Sequence, residues 1–312
     1  MQAKTKKRLI FTVITVLLVA DAIILFPGPL LRGLMYSLYA TGRAGLCDAN
    51  SSMAAFDHLN RRGEAILRNT NGASKVRNED GLTLWQTLRG PFWTAERDKL
   101  GFVPLISEQE LRIYGKMRPG DIVLDAGANI GDFTRAALED GASLVVAIEI
   151  APDTLKALRR NMQAEIASGR VIVYPKGVWD SDSELTLLTS TELASGVDTV
   201  VPDGAARKEG VRVPLTTIDK IVQELQLPRV DFIKLDVEGA EVRAVVGARE
   251  VIRRFHPRLA FDSETFTRED VATLQKELRA ADETYTMIPG PCIFLQSDKS
   301  IRADVVRFEP SR

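Results

Sequence analysis

The chain has 312 residues, a formal net charge of -1 and two histidines. A near-neutral charge argues against a protein built around a nucleic-acid backbone, which requires a basic excess. Two histidines argue against a histidine-rich metal site, and we expect no metal. Cys47 and Cys292 lie far apart in the sequence and predict neither a disulfide framework nor zinc-ligand spacing. We therefore expect a reduced domain that faces the cytosol.

The amino-terminal residues 1–40 are predicted to anchor the chain to a membrane. Residues 9–26 form an apolar stretch behind four basic residues, close to the roughly 20 residues that cross a bilayer. One alternative is a cleaved signal peptide, because Ala20-Asp21-Ala22 resembles a cleavage site, and another is a soluble apolar helix. Pro27-Gly28-Pro29 separates the stretch from a second apolar segment at 30–40. We expect either one membrane span or a re-entrant hairpin of the two segments. The hairpin would return the chain to the cytosolic face.

Residues 41–105 are predicted to be a linker and capping region, and residues 106–312 a catalytic domain in which strands and helices alternate. This alternation predicts an α/β fold with a mainly parallel, doubly wound sheet, whose ligands bind beyond the carboxyl ends of the strands. The core strands are expected at 121–124, 144–148, 171–174, 231–236 and 259–261, and a terminal strand pair at 285–287 and 292–295.

A turn of small residues follows the first core strand. It reads Asp125-x-Gly127-x-Asn129-x-Gly131, and its glycines would let a ligand approach the backbone. Glu149 ends the second strand, 18 residues after Gly131, where an acidic side chain accepts hydrogen bonds from ribose hydroxyls. The two features together predict a nucleoside-containing ligand.

Two residues of the turn oppose a dinucleotide. Asn129 replaces the second glycine of a G-x-G-x-x-G pattern, and Asp132 occupies the position of the third. The carboxylate of Asp132 would repel a pyrophosphate at the helix start, where the helix dipole otherwise favours one. S-adenosylmethionine has a ribose but no phosphate, and its sulfonium and ammonium groups tolerate acidic neighbours. We therefore favour S-adenosylmethionine over a nicotinamide cofactor, whose oxidoreductases are the main enzymatic alternative.

The chain resembles the FkbM family of S-adenosylmethionine-dependent methyltransferases over residues 105–265. The most specific match is Ile-Lys-Leu-Asp-Val-Glu-Gly-Ala-Glu at 233–241, and further matches lie at 123–131, 148–153 and 213–219. One departure is Asp262, where the family usually has glutamate. The resemblance implies a Rossmann-like class I methyltransferase with a terminal antiparallel strand.

The resemblance also implies the cofactor contacts. The residues concerned are Asp125, Gly127 and Gly131 around the methionine end, Glu149 on the ribose, and Val178 with Trp179 against the adenine. Asn129 is also expected to contact the cofactor. Asp132 is expected either to add a contact or to cap the helix.

Asp236 and Glu238 lie at the carboxyl end of the fourth strand, close to where the methyl group must point. Either is expected to act as general base or to orient an acceptor hydroxyl. Lys234 shares a strand face with Asp236 and requires a carboxylate partner if it is buried. The alternative is that these charges form a structural ion network.

The function expected from these features is O-methylation of a sugar, glycolipid or related hydroxyl-bearing metabolite at a membrane. The loop at 190–212 and the amino-terminal region would select the acceptor. A membrane-anchored binding module that keeps the fold without catalysis is the alternative from another class.

Overall fold

The computed structural model describes residues 27–42, 45–190, 198–201, 207–263, 266, 268–295 and 300–311. These residues form two compact units, the first up to residue 60 and over 291–303, the second over 61–290 and from 304 onward. The predicted apolar stretch at 9–26 lies outside the described residues. Among those described, no helix combines the length and apolar character that crossing a bilayer requires.

The helices and strands account for most of the described chain. The helices are α1 (Pro27–Ala40), α2 (Ala49–Gly72), α3 (Phe102–Leu111), α4 (Asp132–Glu139), α5 (Pro152–Asn161), α6 (Gln163–Ala167), α7 (Ile218–Glu224), α8 (Glu241–Val246), α9 (Arg249–Phe255) and α10 (Arg268–Ala281). The strands are β1 (Ser74–Glu79), β2 (Leu82–Thr87), β3 (Gly90–Ala95), β4 (Ile122–Ala126), β5 (Leu144–Ile148), β6 (Val171–Tyr174), β7 (Gly177–Val178), β8 (Ser183–Ser190), β9 (Arg207–Thr216), β10 (Phe232–Leu235), β11 (Arg258–Asp262), β12 (Tyr285–Pro289), β13 (Cys292–Leu295), β14 (Ser300–Ala303) and β15 (Val305–Pro310).

The second unit is built on a seven-stranded sheet in the order β12-β15-β11-β10-β4-β5-β6. Strands β4, β5, β6, β10 and β11 are parallel, and β15 is antiparallel to both of its neighbours. The prediction of a mainly parallel α/β sheet with a terminal antiparallel strand is confirmed. Each residue of β4 and of β10 is buried, as expected for strands covered on both faces.

The order of the strands fixes where a ligand can enter. From β4 the chain proceeds outward through β5 and β6, and later it proceeds from β10 to β11 in the opposite direction. A crevice therefore opens beyond the carboxyl ends of β4 and β10, at the topological switch point. The register pairs Asp125 of β4 with Lys234 of β10, so two charged side chains meet at the base of this crevice.

A small antiparallel sheet, β1-β2-β3, precedes the main sheet in the chain. Leu82 and Phe92 from this sheet pack with Phe102 of α3 in one apolar cluster of the second unit. Trp85 lies 5.5 Å from Phe102 between ring centroids. The tryptophan of β2 therefore contributes to packing.

The predicted pairing of 285–287 with 292–295 is wrong. β12 pairs with β15, whereas β13 pairs with β14 in a separate two-stranded sheet of the first unit. The chain leaves the main sheet at Gly290, whose N–H donates to the carbonyl of Val305 at 2.7 Å. A side chain on Gly290 would bring its Cβ within 2.4 Å of that oxygen. Strands that are neighbours in sequence normally pair. Here β12 and β15 pair with each other, although β13 and β14 lie between them in the chain.

The prediction that the cysteines stay unpaired is also wrong. Cys47 and Cys292 form a disulfide within the first unit, across a sequence separation of 245 residues. The sequence separation of the two cysteines does not indicate this disulfide. The pair forms because residues 291–303 join the amino-terminal segment in the first unit. Disulfides persist in oxidising compartments, so the argument for a reduced, cytosol-facing domain loses its support.

Candidate functional site

A cleft of about 850 Å³, including its open mouth, lies at the predicted edge of the sheet. The predicted residues that line it are Gly127, Asn129, Glu149, Val178, Lys234, Asp236 and Glu238. Asp125 and Gly131, which were also predicted to contact the cofactor, do not belong to the lining.

Asp125 is fully buried behind the cleft. Its Oδ2 accepts a hydrogen bond from Thr134 Oγ1 at 2.6 Å, and its Oδ1 lies 3.4 Å from Lys234 Nζ. Burial raises the pKa of Asp125, while Lys234 and Thr134 act in the opposite direction. Its observed contacts therefore position Lys234 and the start of α4.

Lys234 is the buried cation of the site. Its Nζ donates to the carbonyl of Gly127 at 2.8 Å and lies 3.2 Å from Asp236 Oδ2. Burial opposes the charge of Lys234, but the carboxylates of Asp236 and Asp125 outweigh burial and raise its pKa. The ammonium therefore stays charged and joins the ends of β4 and β10.

Asp236 has a second partner that the sequence did not reveal. The hydroxyl of Tyr114 donates to Asp236 Oδ2 at 3.2 Å, and burial raises the pKa of Tyr114 well above its usual value. Two groups thus converge on Oδ2, while no hydrogen bond to Oδ1 occurs among the described residues. The carboxylate is held in one orientation at the cleft wall.

The glycine-rich turn touches the loop that follows β10. Gly127 has φ +76°, and a Cβ there would lie 1.8 Å from the carbonyl oxygen of Asp236. Only glycine fits this approach. Gly131 has φ +88°, and its Cβ would lie 2.8 Å from Leu158 Cδ1, so this glycine lets α4 begin close to α5.

Glu149 shapes the turn from the end of β5. Its carboxylate accepts backbone hydrogen bonds from Asn129 at 2.9 Å, Ile150 at 2.7 Å and Ala151 at 2.8 Å. Burial raises the pKa of Glu149, and these three hydrogen bonds oppose the rise. A carboxylate offers about four acceptor positions, so room remains for about one donor from the cleft.

The turn after β10 has a left-handed backbone at two successive residues. Glu238 has φ +52° and Gly239 has φ +97°. The carbonyl of Glu238 accepts from Thr199 Oγ1 at 2.6 Å, and Glu241 accepts from the N–H groups of Val237 at 3.1 Å and Gly239 at 3.4 Å. Burial raises the pKa of Glu241 to about 7. These contacts hold Glu238 at the cleft.

The described lining is strongly acidic. Its carboxylates are Glu108, Asp132, Glu149, Asp198, Asp236 and Glu238, against the single ammonium of Lys234. Burial raises the pKa of Asp132 to about 6, although Lys234 opposes the rise. A cleft of this charge attracts cations and disfavours anions.

Residues from α3 complete the wall, and sequence reasoning missed them. Leu105, Glu108 and Gln109 line the cleft. The available signal was the polar run at 107–109 inside an apolar segment. Polar residues are seldom buried without a partner or a purpose.

The family model and the two relatives that match this chain all describe methyltransferases. A model of the methyltransferase FkbM domain matches residues 125–286. The 31-O-demethyl-FK506 methyltransferase FkbM of Streptomyces tacrolimicus is 29% identical over 169 residues, which cover 45% of this chain and 64% of that protein. The hexuronic acid methyltransferase AglP of Haloferax volcanii is 28% identical over 133 residues, covering 43% and 52%. The chain thus spans between half and two thirds of these relatives.

Solved structures show weaker likeness. A methyltransferase FkbM from Methylobacillus flagellatus KT aligns with a TM-score of 0.44 and 16% identity, over 87% of this chain and 65% of that one. The M. jannaschii TYW2 structure in complex with AdoMet aligns with a TM-score of 0.41 and 15% identity, over 76% and 90%.

Proposed function

The chain belongs to the FkbM family of methyltransferases, and from that premise we propose that it transfers a methyl group from S-adenosylmethionine to a hydroxyl oxygen. The observation that carries the proposal is the acidic cleft at the switch point of the sheet. S-adenosylmethionine brings a sulfonium and an ammonium but no phosphate. A nicotinamide dinucleotide would place its pyrophosphate beside buried Asp132.

The residues of the cleft fit this donor. Glu149 has room to accept about one ribose hydroxyl, and Val178 offers an apolar surface for the adenine. The side-chain Oδ1 of Asn129 is buried without a hydrogen-bond partner among the described residues. A buried acceptor of this kind suits an ammonium, which supplies three donors. When bound, the donor would supply an electrophilic methyl group.

The catalytic wall is proposed to bind the acceptor. Asp236 would accept a hydrogen bond from the acceptor hydroxyl through Oδ1, because Lys234 and Tyr114 hold Oδ2. Glu238 faces the same space and would bind a second polar group of the acceptor. Positioning of this kind supplies a large share of the rate enhancement of a displacement reaction.

We propose a neutral sugar or glycolipid as the acceptor. The described lining has six carboxylates and one ammonium, and that ammonium is already paired with Asp125 and Asp236. A uronic acid, the substrate class named for the relative AglP, would place another anion among these groups. A repulsion of only about 1.4 kcal/mol would disfavour it tenfold.

A labelling experiment tests the function and the acceptor class together. Purified protein and tritiated-methyl S-adenosylmethionine are incubated with a cell-envelope extract, which is then hydrolysed and separated into neutral and acidic sugars. We expect label in the neutral fraction, at least about tenfold above the acidic one. Label confined to uronic acids would contradict the neutral acceptor. An absence of label would contradict methyl transfer to envelope components and favour a binding module.

The chain is further proposed to associate with a membrane through residues 9–40. The apolar stretch behind four basic residues supports this attachment. A single span with a cytosolic amino terminus would place the cleft outside the cytosol, where the disulfide would persist. We expect the full-length chain in the membrane fraction with Cys47 and Cys292 oxidised in intact cells, as measured by thiol alkylation before lysis. A soluble chain would contradict the attachment, and a reduced pair would restore a cytosol-facing domain.

A further inference from the structure

Glu108 is a buried carboxylate in the lining of the cleft. It lies far in sequence from the predicted catalytic residues Asp236 and Glu238. It lies on α3 and is 8% exposed. Its Oε1 accepts from the guanidinium of Arg62. No hydrogen bond to Oε2 occurs among the described residues, although Glu108 belongs to the lining. One oxygen is therefore anchored, and the other remains available to a ligand.

The guanidinium of Arg62 pairs with a second carboxylate besides Glu108. Arg62 Nη1 donates to Asp304 Oδ1 at 2.7 Å, so a single guanidinium serves two buried anions. The charged groups that act on Glu108 come from several elements: Arg62 from α2, Asp304 before β15, Asp236 after β10, and Asp132 from α4. Three of these four are negative. Excess negative charge and burial both favour a proton on Glu108.

The pKa of Glu108 is accordingly raised to about 8, with burial as the largest cause. A general base works best when its pKa lies near the operating pH. Asp236 is the competing group, but the ammonium of Lys234 and the hydroxyl of Tyr114 converge on it. A proton on Asp236 would remove a counter-charge from the buried ammonium of Lys234. Within the described chain, Glu108 is held by one donor, Arg62, through Oε1, and that guanidinium keeps Asp304 as a partner when Glu108 takes a proton.

We propose that Glu108 is the general base that removes the proton from the acceptor hydroxyl. The inference rests on the proposed function, and it divides the work between two residues of the cleft lining. Asp236 orients the hydroxyl, and Glu108 Oε2 takes its proton. The oxygen lone pair forms the new bond to the methyl carbon, while the carbon–sulfur bond breaks and leaves its electron pair on sulfur. Glu108 then releases the proton to solvent.

Glu108→Gln tests the role, because glutamine keeps an oxygen for Arg62 but cannot take the proton. The probe is tritium transfer from labelled S-adenosylmethionine into the cell-envelope extract. We expect wild-type transfer to rise with pH through about 8, since the base must lose its proton. In Glu108→Gln the rate should fall by about 100-fold or more and lose this rise. Donor affinity, measured by calorimetry, should stay within about twofold.

Two matched variants separate a base from a structural group. Asp304→Asn removes the charge of the other carboxylate that pairs with Arg62, and Asp304 does not line the cleft. Glu110→Gln makes the same chemical change on the same helix, at a carboxylate that pairs with Arg68. Both should keep a rise with pH, and in Asp304→Asn the rise should move to lower pH, because Asp304 raises the pKa of Glu108. If Asp304→Asn loses rate and pH dependence as Glu108→Gln does, Glu108 acts only through Arg62 and the proposal is overturned.

A titration that does not depend on activity completes the test. Cofactor-free protein is labelled with carboxyl-¹³C glutamate and studied by NMR. The Glu108 resonance is the one present in the wild-type spectrum and missing from that of Glu108→Gln. We expect it to titrate near pH 8. A midpoint below about 5 would overturn the proposal. Wild-type protein that transfers no label would remove the proposed function, and this inference with it. Wild-type transfer that Glu108→Gln retains would overturn the inference alone.

Discussion

Lys234→Met lowers the free energy of unfolding by about 3–5 kcal/mol, because it leaves the buried carboxylate of Asp125 and the partly exposed carboxylate of Asp236 without their counter-charge. Asp125 is fully buried, and its Oδ1 lies 3.4 Å from Lys234 Nζ. Asp236 lies 3.2 Å away and loses the same partner. The carbonyl of Gly127 also loses its donor. Urea denaturation followed by circular dichroism measures the change.

A surface lysine provides the control for this effect. Lys176→Met removes an ammonium that lies 3.5 Å from Glu224 and is more than a third exposed. We expect a change of no more than about 1 kcal/mol, as for exposed ion pairs. The double variant Lys234→Met with Asp125→Asn should recover part of the loss, because it removes one of the stranded charges. A Lys234→Met variant within about 1 kcal/mol of wild type would show that the network is not buried as described.

Glu149→Gln weakens the binding of S-adenosylmethionine by about 10- to 100-fold. The charged carboxylate accepts three backbone hydrogen bonds and has room for a ribose hydroxyl. Glutamine replaces one oxygen with an N–H₂ donor, which would face backbone N–H groups and misplace the turn at Asn129. Losing hydrogen bonds to a charged group costs about 1.5–3 kcal/mol each, which corresponds to the stated range. Isothermal calorimetry measures the affinity.

Glu250→Gln is the control for the cofactor site. Glu250 lies on the surface of α9, where it pairs with Arg253 and is 71% exposed. Its substitution should leave the dissociation constant within about twofold. If Glu149→Gln binds as tightly as wild type, Glu149 serves only to cap the backbone of the turn. If wild type itself shows no binding, the proposed donor is wrong.

The sequence predicted the central sheet and one wall of the cleft because both depend on local patterns. Apolar runs such as Val123-Leu124 and Leu144–Ile148 mark buried strands, and their alternation with helices determines the topology. Parallel strands end at the same edge of a sheet, so residues that follow separate strands could be placed together. This reasoning brought Glu149 and Asp236 to one cleft, where the structure also has them.

The contacts that hold the lining residues in place follow no local pattern. Tyr114 reaches Asp236 across 122 residues, and Arg62 reaches Asp304 across 242. Both contacts require the complete fold before the partners approach. The disulfide is a further case, because it depends on the segment between β12 and β15. The role of Asp125 behind the cleft was missed for the same reason: a strand pattern shows which face a residue occupies, but not what covers that face.

The left-handed backbone at Glu238 has a consequence for protein engineering. For an L-residue, this conformation costs about 1–2 kcal/mol, and glycine avoids the cost. Glu238→Gly would relieve this backbone cost. The same change would delete a carboxylate from the proposed acceptor wall. Thermostability and turnover therefore make opposite demands on this one position, and improvement of the protein requires that both be selected together.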